Sequence, residues 1–215
     1  MNLLHWFLDV VLHLDRHLAQ LTTQYHDSIY ALLFFIIFAE TGFVITPFLP
    51  GDSLLFAAGA LAAVDTSGTL STPLVWLLVA VAAIVGNSVN YSIGRAIGPR
   101  AFSGRYRLFK VEYLRRTEAF FERHGASTIV LSRFVPIIRT FAPFVAGIGR
   151  MPYAKFQAYN IAGGIAWTSL FVWGGYLFGN VPVVKNHFGI VTILIILVSL
   201  TPMIVTAVRA RRESV

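Results

Sequence analysis

The chain has 215 residues, 56% of them hydrophobic and 13% charged, with a mean hydropathy of +0.70; soluble domains carry roughly a quarter charged residues. The absence of cysteine excludes disulfides, thiolate metal sites and cysteine nucleophiles. The net charge of +7 is uneven, because residues 1–94 hold one basic residue (Arg16) against six acids and residues 95–215 hold sixteen against four. Basic residues that flank apolar stretches mark a cytoplasmic membrane face, so nucleic acid is not an expected partner.

In chain order, residues 3–21 (LLHWFLDVVLHLDRHLAQL) are apolar with a polar stripe of His5, Asp9, His13, Arg16, His17 and Gln20. That spacing predicts an interfacial helix within residues 1–25 rather than a crossing one. His13 and His17 have metal-ligand spacing but lack a third ligand, so they read as the solvated face. The N-terminus has no basic n-region or small-residue cleavage site, and no signal peptide is expected.

Residues 28–64 are apolar but broken at FAETGFVITPFLPGDSLLF, where Glu40, Pro47, Pro50, Gly51 and Asp52 interrupt the run. Such a segment predicts a re-entrant hairpin. Irregular backbone is tolerated at membrane depth only where protein or a wet cavity covers it. A polar loop at 65–73 leads to residues 74–97, long enough to span, since a crossing needs about 20 residues. Residues 98–126 carry seven Lys/Arg against three Glu and are expected in the cytoplasm, with a surface helix at 111–124. Residues 127–149 (STIVLSRFVPIIRTFAPFVAGIG) are again apolar and broken, at Pro136 and Pro143. Spans are expected at 156–179 and 188–208, and the basic tail 209–215 should be cytoplasmic.

The two broken segments resemble each other. Phe48-Leu49-Pro50, Asp52 and Gly59 in one answer to Phe134-Val135-Pro136, Arg139 and Ala146-Gly147 in the other. Each precedes a span with a late small pair, Gly94/Gly98 or Gly175/Gly179, expected to let helices pack closely. With the basic loop between them, the repeats would be inverted, and their tips at 47–50 and 136–139 would meet at mid-membrane. Interrupted segments in corresponding halves point to a transport site there. The expected fold is therefore an all-α polytopic membrane protein with two inverted re-entrant hairpins, spans and interfacial helices.

The charges identify the candidate site. Glu40 and Asp52 lie on one hairpin, Arg133 and Arg139 on the other. Each isolated charge in lipid costs about 2.5–3.5 kcal/mol even on the lenient insertion scale, so acids and arginines are expected to pair. Arginine forks suit phosphate oxygens, and a helix starting near Asp52-Ser53 would offer free N–H groups. Protonation of Glu40 would release an arginine for phosphate, and deprotonation would reclaim it. Glu40 and Asp52 are thus the candidate proton-coupling acids, and Arg133 and Arg139 the candidate lipid-phosphate ligands. Pro47, Pro50, Gly51, Ser53, Asn87, Tyr91, Pro136 and Pro143 are candidate supporting residues. Tyr91, Trp167 and Trp173 read as packing or interfacial anchors.

Four stretches carry a resemblance: FAETGFVITPFLPGDSLLFAAGAL, GNSVNYSIGR, FFERHGASTIVLSRFVPIIRTFAPFVAGIGRM and YNIAGG. Through them the chain resembles the DedA family of bacterial inner-membrane proteins, relatives of the eukaryotic VTT-domain lipid scramblases. The resemblance implies opposed re-entrant hairpins, dependence on the proton motive force and a role in envelope maintenance. It also implies a ligand among undecaprenyl phosphate and phospholipids. The family's essential acids match Glu40 and Asp52, and its essential arginines match Arg133 and Arg139. One departure is Asn87, where the family often has Asp; an amide hydrogen-bonds but carries no proton.

The expected function is a proton-linked transporter or flippase of a lipid phosphate, with no cofactor. The alternatives are a membrane scaffold with structural ion pairs and an intramembrane lipid-phosphate enzyme. No HExxH, GxSxG or GxGD signature occurs, which disfavours the enzyme. The identity of the lipid, the side of the N-terminus and the oligomeric state, a homo-oligomer included, stay open.

Overall fold

The computed structural model of the protein describes residues 28–43, 51–65, 68, 70–98, 111–182 and 184. The expected interfacial helix at 1–25, the first tip at 44–50, most of the basic loop (99–110), the span at 188–208 and the tail at 209–215 lie outside them. No strand occurs among the described residues. The helices are α1 (Ser28–Gly42), α2 (Gly51–Val64), α3 (Thr72–Ile97), α4 (Val111–His124), α5 (Thr128–Leu131), α6 (Pro136–Ile148) and α7 (Tyr153–Gly179). Short 3-10 turns, Gly125–Ser127 and Ser132–Phe134, flank α5.

Two of these helices, α3 and α7, are long and apolar enough to cross a membrane. At 26 and 27 residues they measure about 39–40 Å, against roughly 30 Å of hydrocarbon. Large apolar side chains stay exposed at helical spacing along both: Leu77, Val81 and Val85 on α3, Ile161, Ile165, Leu170, Trp173 and Leu177 on α7. Lipid covers such a face at no cost. By contrast α1, α2 and α6 are apolar but short, with 15, 14 and 13 residues. Each reaches about 20–22 Å, too short to cross alone.

Internal contacts divide the chain into two units, one of residues 1–33, 50–76 and 170–215, the other of 34–49 and 77–169. In the first, α2 lies against the end of α7 through glycines. A Cβ on Gly59 would stand 2.0 Å from the Val172 carbonyl oxygen and 3.1 Å from the Tyr176 nitrogen. A Cβ on Gly175 would stand 2.1 Å from the Phe56 carbonyl oxygen. The turn into α3 is closed by Asp65, whose carboxylate accepts from the Leu70 N–H, and by Tyr30, whose hydroxyl accepts from the Ser71 N–H.

The second unit repeats the glycine arrangement with different helices. A Cβ on Gly147 of α6 would stand 2.1 Å from the Tyr91 carbonyl oxygen and 2.8 Å from the Arg95 nitrogen of α3. A Cβ on Gly94 would meet the Phe144 carbonyl oxygen at 2.2 Å. In each unit, then, a short helix and a long one exchange glycines at the same relative register. Gly98 behaves differently: it has φ +63° and no described residue within 4 Å of its Cβ position, so among the described residues it serves the end of α3 and not close packing.

Around that contact sits the core of the second unit: Tyr91, Ile129, Ala142, Ala146 and Phe156, with Phe121, Ile138, Met151 and Tyr159 packed against it. The amphipathic α4 packs on α6, burying Thr117 and exposing Arg115, Arg116, Glu118, Glu122 and Arg123. After α6 the Arg150 N–H donates to the Gly147 carbonyl and the Met151 N–H to the Ala146 carbonyl. This Schellman turn needs a left-handed residue, and Arg150 supplies it at φ 53°. Arg150→Gly should stabilise the protein by about 0.5–1 kcal/mol, visible as a raised melting temperature in detergent.

Candidate functional site: buried arginines on apolar helices

Local chain chemistry places the site's arginines. The residue before a proline prefers extended backbone, and Val135 (φ −120°, ψ 104°) separates the 3-10 turn carrying Arg133 from α6, which Pro136 opens. Arg139 falls in the first turn of α6, its N–H donating to the Val135 carbonyl. Pro143 has no N–H to give the Arg139 carbonyl four residues back. Glu40 lies two residues before the end of α1. That end approaches α3 closely, because a Cβ on Gly86 would stand 2.0 Å from the Thr41 hydroxyl and 3.0 Å from the Phe38 carbonyl.

These elements bring Glu40 and Arg139 together. The Arg139 guanidinium donates through Nη2 to Glu40 Oε1 at 2.5 Å, with both side chains buried. Asn90 of α3 braces the pair from behind: its amide nitrogen donates to the carbonyls of Thr41 and Thr140, each the neighbour of one charged partner. One asparagine thereby ties the helix of the acid to the helix of the base.

Arg133 departs from the expected acid–arginine pairing. It is 1% exposed, and its partners among the described residues are the side-chain oxygen of Asn160 at 2.7 Å and the Asn160 carbonyl at 3.3 Å. Its Nε and Nη1 have no hydrogen-bond partner among the described residues. Trp167 is fully buried, with both guanidiniums near its ring, Arg133 at 5.8 Å and Arg139 at 5.3 Å from the centroid. That is cation–π range, so Trp167 is a packed partner of the arginines and not an interfacial anchor. Trp173, 37% exposed, stands edge-on to Tyr176.

Of the supporting residues, Asn87 donates to the Asn160 side-chain oxygen at 3.1 Å. Tyr91 is buried, stacks on Phe156 and donates its hydroxyl to the Met151 carbonyl. Asp52 stands in the first turn of α2, where a negative charge suits the helix dipole, and Ser53 beside it is buried. Both belong to the first unit. Pro47 and Pro50 lie outside the described residues. No group of three or more metal-ligating side chains occurs among the described residues.

Asn90, Asn160 and Trp167 were not singled out by charge or breaker pattern. A signal existed: an amide inside an apolar span must find partners within the protein, and three asparagines sit on α3 and α7 at positions 87, 90 and 160.

Two helices long and apolar enough to cross a membrane, with an ion pair and a second arginine buried in the protein, fit a helical membrane protein. The VTT domain family matches residues 49–177 of the chain. Protein DedA of Escherichia coli is 48% identical over 215 residues, covering 100% of this chain and 98% of that protein. An uncharacterized membrane protein of Mycobacterium leprae is 44% identical over 176 residues, 80% of this chain and 76% of its own. The E. coli inner membrane protein YqjA is 35% identical over 160 residues, 74% and 71% of the two chains. The chain belongs to the DedA family of VTT-domain membrane proteins. No solved structure matches it.

Proposed function

We propose that the protein is a proton-linked transporter or flippase of a lipid phosphate in the bacterial inner membrane, and that it moves its ligand without altering it chemically. The observation that carries this reading is the buried cluster of Glu40, Arg139 and Arg133. One arginine is matched by a titratable carboxylate, and the other is held on neutral groups with donors to spare. Ionisable groups inside a membrane protein are functional by default, because their insertion is unfavourable. Loading a proton on Glu40 frees Arg139, and two guanidiniums then face the same anion. The acid Asp52 is the second proton-coupling group of this reading.

In the same reading, α1 with α2 and α5 with α6 form two re-entrant hairpins of opposite orientation. The reciprocal glycine contacts, Gly59 and Gly175 in one unit and Gly147 and Gly94 in the other, support an internal repeat. The basic segment 98–126 and the tail 209–215 face the cytoplasm.

Reconstitution into vesicles with labelled lipid phosphates and an imposed pH gradient tests the proposal. Movement of an undecaprenyl-type phosphate or a phospholipid across the bilayer, dependent on the gradient, is the expected result. Arg133→Lys and Arg139→Lys keep the charge but lose the planar fork, and each should weaken lipid-phosphate binding by about 1.5–3 kcal/mol. If no lipid phosphate moves, and both lysine variants melt lower while binding nothing differently, the cluster is a scaffold's ion pair. A chemically altered lipid would instead identify an enzyme.

A further inference from the structure

Resting on the anion reading above, we propose that Asn160 is a positioning residue that holds Arg133 as a standing positive charge, by giving it neutral acceptors where Arg139 has a carboxylate. The side-chain oxygen of Asn160 accepts from Arg133 Nη2 at 2.7 Å and from Asn87 Nδ2 at 3.1 Å. Its amide nitrogen donates to the Ile84 carbonyl and to Gln157 Oε1, both at 3.0 Å. Rotating the amide would set nitrogen against donors and oxygen against acceptors, so its oxygen is locked toward the arginine. Asn87 contributes to that lock.

The same face of α7 is shaped to receive the arginine. Asn160, Gly163, Gly164 and Trp167 recur at helical spacing and form one stripe. A Cβ on Gly163 would lie 3.3 Å from Arg133 Nε and 3.4 Å from its Cδ, and one on Gly164 3.4 Å from Nη2. The arginine stem and head therefore lie along the glycine step, with Asn160 at one end and the Trp167 ring at the other. Hydrogen bonds to an amide and a carbonyl orient a guanidinium without cancelling its charge, whereas a carboxylate would cancel it. Nε and Nη1, with no hydrogen-bond partner among the described residues, remain to bind an acceptor-rich anion. Arg133 is thus the permanent receptor and Arg139 the conditional one.

The test measures binding of a short-chain alkyl phosphate to the full chain in nanodiscs, with melting temperature recorded for each variant. Asn160→Asp keeps an acceptor for Arg133 but adds a charge, and should weaken binding at least tenfold. Asn160→Ala should weaken it several-fold in the native background and not at all in an Arg133→Gln background. A residue that merely supports the fold would weaken binding equally in both. Native affinity in Asn160→Asp, or an equal loss in both backgrounds, would overturn the proposal. If the Asn160 variants do not fold, Gly163→Ala, whose Cβ would meet the Val130 Cα at 3.1 Å and Arg133 Nε at 3.3 Å, replaces them. Several-fold weaker binding in the native background but not in the Arg133→Gln background supports the proposal, and unchanged affinity or an equal loss in both overturns it. If Arg133→Gln itself binds the phosphate as the native protein does, the anion reading fails, and this inference with it. A loss in Arg133→Gln alone leaves that reading intact and removes only the role of Asn160.

Discussion

Glu40→Gln should abolish lipid-phosphate movement driven by a pH gradient while lipid phosphate still binds. Glutamine removes the charge that pairs with Arg139 but leaves an oxygen where Glu40 Oε1 accepts, so the guanidinium is released from the ion pair without losing every nearby acceptor. It cannot ionise, and so imitates the protonated acid at every pH. Glu40→Ala removes the acceptor as well and leaves a buried guanidinium without its carboxylate, a loss of about 3–5 kcal/mol. Unfolding in detergent and gradient-driven movement in vesicles should therefore separate the two variants. A Glu40→Gln protein as unstable as Glu40→Ala, or one that keeps gradient-driven movement, would refute the proton switch.

The second large effect is expected at the helix crossings. Gly147→Ala and Gly59→Ala each place a methyl group about 2 Å from a backbone oxygen, at Tyr91 and Val172 respectively. No rotamer relieves such a contact, so two helices must separate. The expected cost is about 3 kcal/mol, and accumulation of folded protein should fall for both variants. Gly98→Ala is the control, since no described residue stands within 4 Å of its Cβ position. Its left-handed backbone alone predicts a cost of about 1 kcal/mol. Equal melting temperatures for Gly147→Ala and Gly98→Ala would show that α3 and α6 do not cross at this glycine.

Much of the helical organisation is legible in the sequence because it is local. Apolar runs, breakers and basic flanks depend on neighbouring residues, and the helix at 111–124 is marked by its amphipathic period. So is the membrane character of the chain, which follows from transfer free energy and needs no tertiary contact. The presence of Glu40, Arg133 and Arg139 in apolar segments was enough to nominate them, since unpaired charge there is costly.

Their partners were beyond such reasoning. Glu40 and Arg139 stand 99 residues apart in the chain, and two acids with two arginines permit several pairings of equal formal charge. The approach of α1 to α3 at Gly86, and the grip of Asn90 on Thr41 and Thr140, bring Glu40 to Arg139. Asn160 was equally hidden, because an asparagine in a span announces a need for partners without naming them. Composition and pattern by themselves determined that this is a helical membrane protein with charges that must be compensated. The tertiary structure decided which arginine meets a carboxylate and which rests on an amide, because hydrogen bonding depends on distances of a few ångströms that sequence separation does not encode.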